Sequence, residues 1–235
     1  MQKLVVFSGA GMSAESGIQT FRDSDGLWEQ HRIEDVATPE AWAKNPKLVQ
    51  RFYNARRKNI LAAKPNLAHH IIAQFEQDFD VHVITQNIDD LHERAGSSKV
   101  LHLHGNIRFA KSADPKAGDD QELYPIIGDS LDIDTDFCPQ GYPLRPHVVW
   151  FGEAVPAYSE AERVVQQADI FVVIGTSLQV YPVAGLIHHI SRTAQAYYID
   201  PKANQQHLPK QYQKIALPAT QGLQHLQQLL QPKII

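Results

Sequence analysis

The chain opens on an apolar run at residues 4–7, LVVF, that breaks into glycines at 9, 11 and 17 and closes on an aromatic and basic pair, Phe21 and Arg22. An apolar run without alternation reads as a strand covered on both faces, the kind found inside a parallel sheet. Glycines directly after such a strand remove the Cβ atoms that keep backbone away from a phosphate. Serines such as Ser13 add hydroxyls, and a following helix start adds unpaired N–H groups. The N-terminus is thus confined to a strand, loop and helix of an α/β fold, with an anion site at the strand's end. The spacing is not G-x-G-x-x-G, because the third glycine comes late, which weakens a plain dehydrogenase reading.

Similar apolar runs recur at residues 81–85, 169–176 and 196–200. Helical patterns lie among them: Leu67, Ile71 and Phe75 behind Pro65-Asn66; Ala161, Val164, Val165 and Ala168 behind Ser159; Leu186, Ile187 and Ile190 behind Pro182. Alternating strand and helix predicts right-handed crossovers and an open parallel sheet. Leu223, Leu226, Leu229 and Leu230 form one stripe of a last helix packed on that sheet. Two stretches break the alternation and read as insertions forming a small lobe. One is helical and charged, residues 29–62; the other, residues 107–143, is irregular and rich in Asp, Gly and Pro. The sheet domain is then residues 1–28, 63–106 and 144–235.

Hydrophobic content of 43% over 235 residues allows a full core. A net charge of −4 gives no basic field for nucleic acid or an anionic membrane, and no apolar stretch reaches the roughly 18 residues of a spanning helix. Cys138 is the lone cysteine, which excludes an internal disulfide and a four-thiolate metal centre and suits a reducing cytoplasm. The early start of the first strand leaves no room for a signal peptide.

Four segments carry chemistry. In TQNIDDLH a buried strand delivers Gln86, Asn87, Asp89 and Asp90 to its C-terminal edge, where amides and a carboxylate can read a carboxamide and ribose hydroxyls; Asn87 or Asp89 could equally cap the next helix. In LHLHGN, His102 and His104 alternate on a predicted strand and face one side, suited to general base work, to half a metal site or to packing. The pairs His69-His70 and His188-His189 sit at adjacent helical positions and read as structural. Gly175, Thr176 and Ser177 repeat the strand-to-phosphate-loop logic of the N-terminus.

GAGMSAESGIQTFRD, TQNIDDLH, HLHGN, RPHVVWFGE and GTSLQVYP, in that order, resemble the sirtuins, the NAD-dependent protein-lysine deacylases, and most closely their short bacterial members. The resemblance implies a Rossmann-like domain with a small lobe, NAD and acyl-lysine meeting in the cleft between them. It assigns Gly9, Ala10, Gly11, Phe21 and Arg22 to the cofactor loop, Gln86, Asn87 and Asp89 to the ribose and nicotinamide pocket, and Gly175, Thr176 and Ser177 to the phosphates. Asp200 falls near the adenosine ribose, where relatives commonly have asparagine. His104 falls on the catalytic base. Val148, Phe151, Gly152 and Glu153 fall in the segment that pairs with the substrate peptide as an added strand.

Tyr53 and Arg56 stand three apart and share a helix face, where a phenol and a guanidinium fork can grip a carboxylate. The same spacing resembles that of sirtuins removing succinyl, malonyl and glutaryl groups, and Ala37 matches their small pocket-widening residue. Acyl-lysine proteins or peptides are therefore the expected partners, with desuccinylation beside deacetylation. Sirtuins usually carry two cysteine pairs for a structural zinc, but here Lys111, Ser112 and Asp114 stand where the first pair is expected. Zinc is expected to be absent, with no metal ligands, and Leu123, Tyr124, Ile126, Ile127 and Phe137 are expected to hold the lobe by packing. The rival readings are an NAD glycohydrolase or mono-ADP-ribosyltransferase, and a non-catalytic NAD or ADP-ribose sensor that would need no base.

Overall fold

The computed structural model describes residues 1–19, 27–28, 31–118 and 121–230. Strand β1 (Lys3–Ser8) leads into a short helix, α1 (Gly11–Ala14). A small antiparallel pair, β2 (Leu27–Trp28) and β3 (His31–Arg32), precedes three helices, α2 (Ile33–Val36), α3 (Pro39–Lys44) and α4 (Pro46–Ala62). Helices α3 and α4 both begin at a proline behind a side-chain cap, Thr38 and Asn45, which accept hydrogen bonds from Ala41 N and Leu48 N. Helix α5 (Leu67–Gln74) starts in a capping box between Asn66 and His69, and α6 (Leu91–Ala95), which follows β4 (Asp80–Thr85), ends on Gly96 at φ 108°.

Beyond them come β5 (Val100–His102), β6 (Gly105–Ser112), β7 (Tyr124–Pro125), β8 (Leu144–Val148), α7 (Tyr158–Gln166), β9 (Ile170–Ile174), β10 (Gln195–Ile199), β11 (Tyr212–Ile215) and α8 (Ala219–Leu230). Six strands form one parallel sheet in the order β11-β10-β9-β1-β4-β5. Leu4, Val6, Val172 and Ile174 pack on one face against α5 and α8, through Ile71, Ile72, Leu223 and Leu226. Val5, Phe7, Phe171 and Val173 pack on the other against Ala161 and Val165 of α7. Burial on both faces is why these strands read as unbroken apolar runs, and the α/β parallel-sheet expectation holds.

The structure corrects the sequence reading in four places. The sheet has two strands beyond those anticipated: β5 is three residues long, and β11 buries only Tyr212 and Ile215 of its four. The Leu186–Ile190 pattern forms a 3-10 turn over Val183–His188 rather than an α-helix. Residues 105–112 and 144–148, split at 106/107 and 143/144 by the expected boundaries, pair with each other in an antiparallel sheet ordered β7-β6-β8. Residues 107–143 are thus not irregular throughout. Finally, Ile127, Phe137 and Leu123 are exposed, Ile127 at 96%. The lobe instead packs on Ala110, Ile126, Leu131, Cys138 and Leu144, with Tyr124 partly buried against them. No helix among the described residues is long and apolar enough to cross a membrane.

Candidate active site

The order of the parallel sheet reverses beside β1: the chain runs outward through β4 and β5, then returns to lay β9 on the other side of β1. Ligands of open α/β sheets sit at such a switch point, beyond the strands' C-terminal ends. Here the two loops leaving β1 and β9 touch. Gly9 N donates to Ile174 O at 3.0 Å and Gly11 N to Gly175 O at 2.8 Å. A Cβ on Gly9 would stand 2.7 Å from Thr176 Cβ; one on Gly175, whose φ is +63°, would stand 2.3 Å from Met12 N. These glycines are required first of all by the approach of one loop to the other.

Beside this contact lies a cavity of about 190 Å³. It brings together Ala10, Gln86, Asn87, Asp89 and His104 from the expected cofactor and base sets. The same cavity is lined by the whole expected substrate set: Ala37, Tyr53 and Arg56, with Val148, Phe151, Gly152 and Glu153. Gly9, Gly11, Gly175, Thr176, Ser177 and Asp200 do not line it; they belong to the crevice and strand ends beside it. Thr176 Oγ1 nevertheless donates to Gln86 Oε1 at 3.3 Å, which ties crevice to cavity. Asp200, buried at the end of β10, accepts from Lys202 N at 2.9 Å. Phe21 and Arg22 lie outside the described residues.

The polar wall is a relay of directed hydrogen bonds. Asn87 Nδ2 donates to Ser13 Oγ (3.1 Å), and Ser13 Oγ donates to Asp89 Oδ2 (2.9 Å). Burial pushes the Asp89 carboxyl up, against the pull of the Leu91 N–H and the Ser13 hydroxyl. Gln86 Nε2 is buried and has no hydrogen-bond partner in the protein. An unsatisfied amide beside a hydroxyl, a carboxamide and a carboxylate suits a ligand bearing its own amide and hydroxyls, so the donor set fits the nicotinamide and ribose of NAD.

His104 is not on a strand, as the alternation suggested, but in the turn between β5 and β6. The two rings bond successive carbonyls, His104 Nδ1 to Gln86 O and His102 Nδ1 to Asn87 O, both at 3.0 Å, and of the two His104 lines the cavity. Since Nδ1–H must donate to a carbonyl, the neutral His104 carries its free lone pair on Nε2. Burial lowers the His104 pKa more than the Gln86 carbonyl raises it, so the ring is neutral near pH 7. His102 differs through one partner. Burial disfavours its imidazolium, but Glu93, whose Oε1 stands 2.7 Å from Nε2, tips the balance and raises the pKa.

The substrate wall rests on the segment after β8. Glu153 does not present a free carboxylate to the cavity: Oε1 accepts from Arg145 Nη2 at 2.6 Å, and Oε2 from Trp150 N at 2.8 Å. The Arg145 guanidinium also stacks over Trp150, 3.7 Å from the ring centroid. Phe151 N donates to Ala37 O at 3.0 Å, so the residue expected to widen the pocket also anchors the segment through its backbone. Tyr53 and Arg56 are buried on one face of α4, and burial raises the Tyr53 phenol pKa. Sequence reasoning left Trp150 and Ser13 unassigned. Trp150 stood inside the quoted VVWFGE motif, and Ser13 was noted only as a hydroxyl of the loop.

Among the described residues no group of three or more His, Cys, Asp and Glu side chains could hold a metal ion. Where the first cysteine pair is expected, Ser112 Oγ faces Cys138 Sγ at 3.4 Å. A single thiol beside a hydroxyl does not fit a structural zinc.

A parallel sheet with a glycine-lined crevice at its switch point and a neutral histidine at the rim define a Rossmann-like dinucleotide-cleft protein. The Sir2 family pattern matches residues 9–182. The chain belongs to the Sir2 family. It is 49% identical over 239 residues to an NAD-dependent protein deacylase of Bacteroides thetaiotaomicron, covering 99% of each chain. It is also 49% identical over 236 residues to one of Helicobacter pylori, covering 100% of this chain and 98% of that one. Among solved structures it is similar to a Sir2 homologue in complex with NAD, with TM-score 0.82, 36% identity and coverage of 97% of this chain and 90% of that one. A mutant Sir2 homologue bound to ADP-ribose gives TM-score 0.83 at 36% identity, over 99% of this chain and 95% of that one.

Beneath the site, His92 Nε2 bonds Ser8 Oγ at 3.0 Å, Ser8 Oγ donates to Thr85 Oγ1, and Thr85 Oγ1 accepts from Asn87 N. His69 packs edge-on against His92 at 4.9 Å between centroids. Burial lowers both pKa values, that of His69 to about 3. Below pH 6.5 the unfolded chain therefore takes up protons that the folded chain refuses, and stability falls. The pair should contribute about 2 kcal/mol of loss between pH 6.5 and 5.5. In urea denaturation, His69→Gln should lose about 1 kcal/mol less than wild type across that interval; an unchanged pH dependence would show that His69 is protonated in the folded state.

Proposed function

We propose that this NAD-dependent protein deacylase of the Sir2 family removes acyl groups ending in a carboxylate, succinyl and malonyl, from protein lysine, alongside acetyl. The observation that supports it most is the meeting in the lining of one cavity of His104, with its lone pair on Nε2, and the Tyr53 and Arg56 pair. Bound NAD supplies the ribose carbon that takes the acyl oxygen as nicotinamide leaves. The chain's own residues bind and move a proton. Gln86 and the relay of Asn87, Ser13 and Asp89 hold the carboxamide and ribose, and Gly175, Thr176 and Ser177 offer backbone and hydroxyls to the phosphates. His104 Nε2 accepts a proton from a ribose hydroxyl, which then receives the acyl group. One water is consumed to release the lysine amine, and the products are lysine, nicotinamide and O-acyl-ADP-ribose.

Residues 148–153 offer backbone to an extended peptide, with Phe151 and Trp150 walling the lysine channel. Tyr53 and Arg56 bond the acyl carboxylate; charge-assisted hydrogen bonds of about 1.5–3 kcal/mol each amount to a tenfold to hundredfold preference. The lobe folds without zinc, a reading supported by its single cysteine and its own apolar nucleus. A single buried thiol also suits a reducing cytoplasm, and the net charge of −4 disfavours nucleic acid and anionic membranes as partners.

Mass spectrometry of NAD with a succinyl-lysine peptide should show O-succinyl-ADP-ribose. Free ADP-ribose without peptide consumption would instead indicate a glycohydrolase, and no product a sensor. Arg56→Met should lower the succinyl-to-acetyl ratio of kcat/KM by about tenfold to a hundredfold; an unchanged ratio would refute the carboxylate grip. The pH profile of kcat/KM should rise through one ionisation below about 6.5 and stay flat above neutrality, because the base must be unprotonated. His104→Ala should abolish turnover, and an activity-neutral result would remove the base from the mechanism. Elemental analysis should find well under one zinc per chain, and a chelator should leave Tm unchanged.

A further inference from the structure

Helix α4 carries two functional faces. Tyr53, Arg56 and Ile60 line the cavity. Gln50, Asn54 and Arg57, at i, i+4 and i+7, share the neighbouring face and hold the lobe's other segment, residues 107–143. Gln50 Nε2 donates to Leu131 O at 2.9 Å. Asn54 grips the same residue from both sides, Nδ2 donating to Leu131 O at 3.0 Å and Oδ1 accepting from Leu131 N at 3.1 Å. Arg57, fully buried, donates through Nη1 to Asn54 Oδ1 at 2.7 Å and to Asp129 O at 3.4 Å, and through Nε to Ile107 O at 2.9 Å.

Every lobe partner of these three side chains is backbone, and the Leu131 side chain is buried in the lobe's nucleus with Ala110, Ile126, Cys138 and Leu144. The helix is therefore locked to the lobe in both rotation and height. Asn54 lies at the centre of the lock, satisfying two groups of Leu131 and orienting Arg57. It is also next in sequence to Tyr53. Turning or sliding the helix by about an ångström would leave the apolar wall in contact with a methyl group but would break a two-point grip on a carboxylate.

We infer that Asn54 is a positioning residue for acyl recognition: its clamp on Leu131 and Arg57 sets the rotation of α4 at which Tyr53 and Arg56 meet the acyl carboxylate. The inference rests on the carboxylate reading of Tyr53 and Arg56, and the experiment separates the two. The full chain is assayed with succinyl-lysine and acetyl-lysine peptides of one sequence at saturating NAD. Wild-type kinetics decide the carboxylate reading; if wild type does not remove succinyl, both ideas fail.

Given that it does, Asn54→Ala should raise KM for the succinyl peptide about tenfold or more. KM for the acetyl peptide, kcat on acetyl and KM for NAD should stay within about twofold. In an Arg56→Met background the same substitution should add almost nothing, a non-additivity that general loosening of the fold would not produce. Gln50→Met keeps volume and removes one of the bonds, so it serves if Asn54→Ala does not fold, and should shift succinyl KM in the same direction by a smaller factor. An equal rise on both peptides, full additivity with Arg56→Met, or no change in a folded variant would overturn the inference.

Discussion

Two backbones in contact carry the rest of this structure. β1 and β9 are neighbours at the centre of the parallel sheet, and the loops that leave them approach until Gly9, Gly11 and Gly175 share hydrogen bonds and van der Waals space. A side chain at any of the three would drive the loops apart. Their closeness makes one crevice out of two strand ends and brings Thr176 within reach of Gln86, which stands at the end of β4. The cavity's polar wall is therefore fixed by the sheet rather than by the small lobe. Helix α4 and residues 148–153 supply much of the rest of the lining.

Environment separates two histidines that the sequence presents as equivalents. His102 and His104 each give Nδ1–H to one of two consecutive carbonyls, so both orient the same stretch of backbone. Glu93 at the far nitrogen of His102 favours the cation, while the far nitrogen of His104 opens on the cavity without a carboxylate, and burial keeps that ring neutral. An imidazole pushed toward its cation and another pushed toward its neutral form, two residues apart, are set apart by a single glutamate on α6. The His102 and Glu93 pair holds the Asn87 carbonyl, and through Asn87 it steadies the relay to Ser13 and Asp89.

The parallel sheet was legible because burial on both faces leaves a mark in the sequence: residues 4–7, 81–85, 169–176 and 196–200 are mostly apolar rather than regularly alternating. β5 and β11 escaped because the first is too short to show a period and the second is half polar at the sheet's edge. The small lobe was the least legible part. Leu123, Ile127 and Phe137 are hydrophobic but face solvent, while Ala110 and Leu131 form the nucleus. In a segment without periodicity, composition alone does not say which apolar residue turns inward. The lock on α4 escaped for another reason: Asn54 and Arg57 are polar residues on a charged helix, and their acceptors at Ile107, Asp129 and Leu131 are backbone atoms that carry no sequence signature.

That lock also explains how a lobe with one thiol can stay docked. The guanidinium of Arg57 is buried, with hydrogen bonds to carbonyl oxygens, and the charge of Asp129 only partly offsets the cost of that burial. Burial, with some help from Arg108, lowers its pKa to about 10, which still leaves it charged at neutral pH. Its Nε and Nη1 are held while Nη2 has no partner in the protein, so expelling the loop at 129–131 would strand a buried charge further as well as open hydrogen bonds. A metal staple closes one segment on itself; this lock closes residues 107–143 on α4, the helix that carries Tyr53 and Arg56. Integrity of the lobe and geometry of the proposed acyl pocket then become one structural variable, carried by the two adjacent faces of α4.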